Sequence, residues 1–103
     1  RDFIDVRDGV EGMLILLEKG KPGKPVNICN QKAHTIQEVL DILLEESDLD
    51  VEVEQNPDLL RPSDELLLLG DNSRLRALGW EQRHTFRQTL RAVYEDWLAR
   101  TAD

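Results

Sequence analysis

Apolar residues fall along this chain in two alternating rhythms. Val6, Val10, Met13, Leu14 and Leu17 recur at the three- and four-residue spacing of one helix face. They predict a helix from Val6 to about Lys19, with Asp5 as N-cap, Asp8 at the third helical position and Gly20 as the stop. Ile36, Val39, Leu40, Leu43 and Leu44 predict a second helix over 36–46, opened by a capping box of Thr35 and Glu38. Phe86, Leu90, Val93, Tyr94, Trp97 and Leu98 predict a third, opened by Thr85 and Gln88. The two "HT" openings are caps rather than an internal repeat. Gly9 and Gly12 interrupt the first helix at up to ~1 kcal/mol each relative to Ala, which points to a close neighbour on that face.

Between the helices the rhythm shortens. Phe3-Ile4 and Val26 to Cys29 read as short extended runs, "GKPGKP" as a turn, and Val51 to Gln55 alternates with period two. The predicted order is therefore βαβαβ. Leu66 to Leu69 fits either a buried strand or a helical turn capped by Ser63, and periodicity does not separate these. Asp71 is expected to cap a short helix through Arg74, Leu75 and Leu78, stopped by Gly79, with Trp80 as a packing residue. The expected fold class is α/β, with right-handed parallel strand–helix units in the first half and a smaller mixed appendage in the second.

With 103 residues, 40% of them hydrophobic, the sequence fits one core. It carries 21 acids against 13 Lys and Arg, a net charge of -8, and that field disfavours nucleic acid and acidic membrane surfaces as partners. Lys19, Lys21 and Lys24 lie in a Gly-Pro loop without interleaved aromatics and read as a solvated turn. The single cysteine, Cys29, excludes an internal disulfide and fits a reducing compartment, so a cytoplasmic location is expected. The longest apolar run, Met13 to Leu17, falls far short of the ~18 residues of a membrane span. Arg1-Asp2-Phe3-Ile4 reads as a strand rather than a leader, so the sequence is expected to be a segment of a longer chain.

Little of the usual reactive chemistry is visible. His34 and His84 each precede a capping threonine and are expected to be flanking residues without catalytic partners. Cys29 and His34 are the only near pair of metal-ligating type, so no metal site is expected, and a lone Cys in an apolar run is expected to be inert core. Glu45-Glu46 and Glu52 with Glu54 read as solvated faces. Gly9-x-x-Gly12 and Gly20-x-x-Gly23 are in the wrong context for a dinucleotide fingerprint, so no cofactor loop is expected within these residues.

That leaves "LLRPSDELLLLGD" at 59–71. Pro62 fixes its own φ and biases Arg61 towards extended geometry, which presents a guanidinium from a stiffened backbone. A guanidinium fork binds phosphate bidentately, and Asp64, three residues on, can accept bonds from ribose hydroxyls. The pair makes a sensible nucleotide clamp. The alternative is a surface turn with solvated charges.

In order along the chain, "RDFIDVRD", "VNIC", "HTIQEVLDILL", "LRPSDE", "LGDNSRLRALGWE" and "TLRAVYEDWL" resemble the C-terminal third of extended short-chain dehydrogenase/reductases acting on nucleotide sugars. Within that family the resemblance is nearest to GDP-4-keto-6-deoxy-mannose reductases, then GDP-mannose 4,6-dehydratases, with UDP-sugar epimerases further off. It implies that Arg61 contacts the substrate diphosphate and Asp64 the nucleotide ribose, with Arg1 as a further diphosphate contact. It implies that residues 1–50 complete a Rossmann-type sheet, while 51–103 supply a segment of the substrate lobe and the C-terminal helix. It also implies an NAD(P)(H) cofactor held mainly by a preceding part, a GDP-sugar substrate and a homodimeric parent chain. The family's Tyr-x-x-x-Lys pair is absent, since Tyr94 is followed four residues on by Leu98. "NICNQK" also replaces the usual small-residue turn after its strand. Two functions are therefore expected to compete: part of a nucleotide-sugar reductase, dehydratase or epimerase, or a non-catalytic acidic interaction module.

Overall fold

Asp5 opens the first helix as its composition requires, with an extended backbone and a carboxylate that accepts from the Arg7 N–H. In the computed structural model, which describes residues 1–59 and 67–102, helix α1 spans Val6–Lys19 and α2 Ile36–Ser47. A 3-10 turn at Pro57–Leu59 follows, then α3 (Ser73–Ala77) and α4 (Phe86–Thr101). Helix α4 carries the complete capping box of Thr85 and Gln88. At α2, Thr35 does accept from the Glu38 N–H, but the Glu38 carboxylate turns instead to the His34 ring at 2.8 Å. Asn72, not Asp71, takes the N-cap position of α3, and Asp71 accepts from the Ser73 N–H one residue further along.

The predicted strands do not assemble. Among the described residues the one pairing is an isolated antiparallel bridge between Asp2 and Ala33. A parallel ladder draws its bonds from a neighbouring strand, and here side chains take that role along 25–30. Asn72 donates to the Cys29 carbonyl, Arg74 to the Pro25 carbonyl, and the Asp2 carboxylate accepts the Asn30 N–H. Val51 and Val53 are exposed and lie in no regular element.

The core is small and half polar. Leu75 and Trp80 are fully buried, each worth about 2 to 3 kcal/mol, and Cys29 and Leu90 extend them. Beside these lie Asp5, Asp8, Asn30 and Asn72, also buried. Gly12 lets the pieces meet: a Cβ there would stand 3.3 Å from Ile28 Cγ2, 3.4 Å from Leu75 Cδ2 and 3.6 Å from Trp80 Cδ1. The close neighbour expected at Gly9 is missing, with nothing within 4 Å of its Cβ position.

Asp8 and Asp5 fasten α1 to the C-terminal half. The Trp80 indole N–H donates to the Asp8 carbonyl at 2.9 Å. The Asp8 carboxylate accepts the Arg83 and His84 N–H groups and lies 2.8 Å from His84 Nδ1. Thr89 of α4 donates to Asp5 at 2.8 Å. Both histidines thus have carboxylate partners, contrary to the sequence expectation, because folding brings Asp8 to His84 and the first turn of α2 brings Glu38 to His34. Helices α2 and α4 pack together, with Arg87 bonded to Glu45 and Glu46 and Arg91 to Glu46. Glu46 is therefore an ion-pair hub rather than a solvated face. Among the described residues no helix is long and apolar enough to cross a membrane.

Candidate functional site

Arg1 is held at its backbone before its side chain does anything. Its backbone nitrogen donates to the His34 carbonyl at 2.8 Å, and its own carbonyl accepts the His34 N–H at 2.9 Å. The neighbouring Asp2 then organises the surroundings. Its Oδ1 accepts the Asn30 N–H at 2.9 Å, and its Oδ2 accepts Gln31 at 2.8 Å and Gly70 at 3.3 Å. Three backbone donors from two separate segments therefore converge on one carboxylate, each a charge-assisted bond. Gln31 makes the turn possible by adopting a left-handed backbone at φ 62°, and its side-chain oxygen accepts the Asn72 N–H.

Gly70 has to be glycine for a spatial reason. A Cβ at that position would lie 2.5 Å from Cys29 Sγ and 2.9 Å from Cys29 Cβ. Residues 67–70 are thus drawn in at Gly70 against Cys29, at the hollow that Arg1 also borders. Arg1, Asp2, Asn27, Cys29, Leu68 and Gly70 line a hollow of about 400 Å³ at this junction. Burial, chiefly, pushes the Cys29 thiol above its ordinary pKa, and the nearby Asp2 charge adds to this, so the sulfur is a neutral packing group and no nucleophile.

Among the described residues the arrangement offers one exposed cation, Arg1, beside a partly apolar floor. Arg61 and Asp64, the two residues on which the sequence argument rests most, lie outside the described residues. Sequence reasoning missed Asp2 as the organiser of the site. The signal that could have found it is an acid two residues before an apolar strand end, with no helix of its own to cap. It also missed Asn72, whose amide ties Cys29 and whose Oδ1 accepts from Arg76.

Residues 1–93 match the family described as GDP-mannose 4,6 dehydratase. The chain belongs to that family. It is 32% identical to GDP-6-deoxy-D-mannose reductase of Pseudomonas aeruginosa over the whole of this chain and 34% of that protein. It is 31% identical to GDP-6-deoxy-D-talose 4-dehydrogenase of Aggregatibacter actinomycetemcomitans over 93% of this chain and 32% of that one. Its fold superposes on RMD from Pseudomonas aeruginosa complexed with NADPH with a TM-score of 0.89, at 32% identity, covering 98% of this chain and 33% of that one. The chain therefore spans about a third of the length of these relatives. The likeness places the described elements in the dehydratase family's fold, even though their own strands are unpaired.

Proposed function

We propose that this chain is the substrate-side third of an NAD(P)-dependent nucleotide-sugar enzyme that reduces a GDP-4-keto-6-deoxyhexose to a GDP-6-deoxyhexose. The observation that carries the reading is the likeness over 98% of the chain to a reductase structure complexed with NADPH; in this chain Arg1 borders a hollow together with Leu68, Leu69 and Gly70. In this reading Arg61 and Arg1 bind the substrate diphosphate, Asp64 accepts from the nucleotide ribose, and Asp2 fixes the backbone that presents them. Residues 1–50 belong to the sheet-bearing body and 51–103 to the substrate lobe and C-terminal helix, with α4 folded back on α2.

The residues present do not fit a dinucleotide, since no glycine fingerprint joins a strand to a helix here. The cofactor's chemistry is hydride transfer, and this chain's contribution is to bind and orient the far end of the substrate. That role appears in KM more than in kcat when binding is equal in the ground and transition states. A diphosphate contact is worth roughly 1.5 to 3 kcal/mol. In the intact protein, Arg61→Ala is therefore expected to raise KM for the GDP-sugar roughly 10- to 100-fold with kcat held within a few-fold. An unchanged KM would overturn the assignment. Consumption of GDP-mannose itself, in place of its 4-keto-6-deoxy product, would move the activity from reductase to dehydratase.

A further inference from the structure

The loop that leaves α1 and the short helix α3 meet around a hollow of about 450 Å³. Lys19, Lys21 and Lys24 border it from the Gly-Pro loop, and Arg74 joins them from α3. Val26 and Leu78, both half-buried, give it an apolar floor. The loop is a closed turn: the Lys24 N–H donates to the Lys21 carbonyl at 3.2 Å. Pro22 and then Gly23, at φ 79°, stand at its centre, the residue order of a type II turn. Lys21 and Lys24 are thereby held at its two ends. The Lys19 ammonium lies 3.8 Å from where a Cβ would stand at Gly79, just beyond α3. Arg74 is fixed by one nitrogen, which donates to the Pro25 carbonyl at 3.1 Å.

Acids outnumber Lys and Arg by 21 to 13 in this chain, yet no acid lines this hollow. Among the described residues none of its four cations is paired with a carboxylate. Asp71, whose charge reaches Arg74, borders the adjoining hollow and accepts the Ser73 N–H. The negative end of α1 accounts for Lys19 alone, since Lys21 and Lys24 lie beyond that helix and Arg74 belongs to another. Like charges gathered without a counter-charge repel one another, and an anion between them removes that cost. We propose that this hollow is a binding site for a small phosphate ester with an apolar organic part. A guanidinium fork beside lysine ammoniums suits the two charges of a phosphate better than the single charge of a carboxylate. The apolar floor receives the organic part, as in ligand sites generally. The hollow shares no lining residue with the one that Arg1 borders, so the proposal does not depend on the nucleotide-sugar reading.

The test titrates 1-naphthyl phosphate by calorimetry into the full product of the gene that encodes this chain, at physiological ionic strength. Lys21→Glu with Lys24→Glu should weaken binding about tenfold or more, with circular dichroism unchanged because both lysines are exposed. Lys21→Gln with Lys24→Gln, which removes the charges without reversing them, should fall between that variant and wild type. Arg83→Glu with Arg100→Glu makes the same change of net charge outside the hollow and should alter affinity by no more than about twofold. Inorganic phosphate, lacking the apolar part, should bind about tenfold or more weakly than the ester. Wild type that binds no ester would overturn the proposal, as would equal affinity in the Lys21 and Lys24 variants. Inorganic phosphate bound as tightly as the ester would reduce the hollow to a patch of charge and overturn it too. Loss of the ester in Arg61→Ala, with the lysine variants unaffected, would assign the phosphate to the diphosphate position proposed above and not to this hollow.

Discussion

Gly9 and Gly12 sit three residues apart in one helix and answer to different constraints. At Gly9 a methyl group meets nothing within 4 Å, so Gly9→Ala gains helix propensity alone and should stabilise the chain by about 1 kcal/mol. At Gly12 the same methyl stands 3.3 Å from Ile28 and 3.4 Å from the wholly buried Leu75. Overpacking of roughly 1 to 3 kcal/mol then outweighs the propensity gain, and Gly12→Ala should destabilise. Urea unfolding of the two variants checks both signs, and two shifts in the same direction would contradict the packing argument. The sequence predicted a close neighbour for both glycines because it showed their cost and not their surroundings. The same limit applies to Asp2 and Asp8. Their spacing identifies Asp8 as a first-turn acid, but only folding reveals that Asp8 meets Trp80 and His84, more than 70 residues away, and that Asp2 gathers the N–H groups of residues 30, 31 and 70.

The helices themselves were legible almost to the residue, since caps and periodicity are local properties: α1 was expected over 6–19, and α2 ends one residue beyond its expected 46. The strands were not, because a strand needs a neighbour to supply its ladder and those of this chain find side chains instead. How the helices join follows from charge. The Asp5 carboxyl is held well below the usual carboxylate range, chiefly by the Arg7 guanidinium, with Thr89 and the Arg7 N–H assisting and burial opposing. A pKa depressed in the folded state stabilises above the unfolded value of about 3.9, and that stabilisation is lost as pH falls below it. Acidification from pH 5 to pH 2 should therefore lower the urea midpoint less steeply in Asp5→Asn than in wild type; parallel curves would remove Asp5 from the joint between α1 and α4. The joint between α2 and α4 depends on Glu46, whose carboxyl is lowered first by Arg87 and then by Arg91. Its partners are half exposed or more, so salt should screen the network. Thermal melts of wild type should fall between 50 mM and 500 mM NaCl, salts at which the Debye length shrinks from about 14 to about 4 Å. Glu46→Gln should start lower and change less, and equal salt slopes would show that apolar packing alone holds the pair.

For the whole molecule, the decisive quantity is how much apolar surface the chain leaves in water. Besides Val6, Val10, Met13, Leu14 and Leu17, all exposed along one face of α1, Leu67, Leu68 and Leu69 are 62%, 52% and 46% exposed, and Trp97 on α4 is 57% exposed. Scattered exposed apolar residues are ordinary, but five on one helix face form a contiguous patch. The isolated chain should accordingly bind the hydrophobic dye ANS while keeping its helical circular dichroism. Replacing Leu14 and Leu17 together with Lys removes side chains that contact water in this chain, so the isolated chain should change in stability by no more than about 0.5 kcal/mol per site. Its dye fluorescence should fall. The double variant is therefore expected to keep its helical circular dichroism while losing dye binding, a contrast that the two spectra measure directly. Unchanged dye fluorescence in the double variant would place the dye-binding surface elsewhere, with Leu67 to Leu69 and Trp97 among the remaining exposed apolar groups.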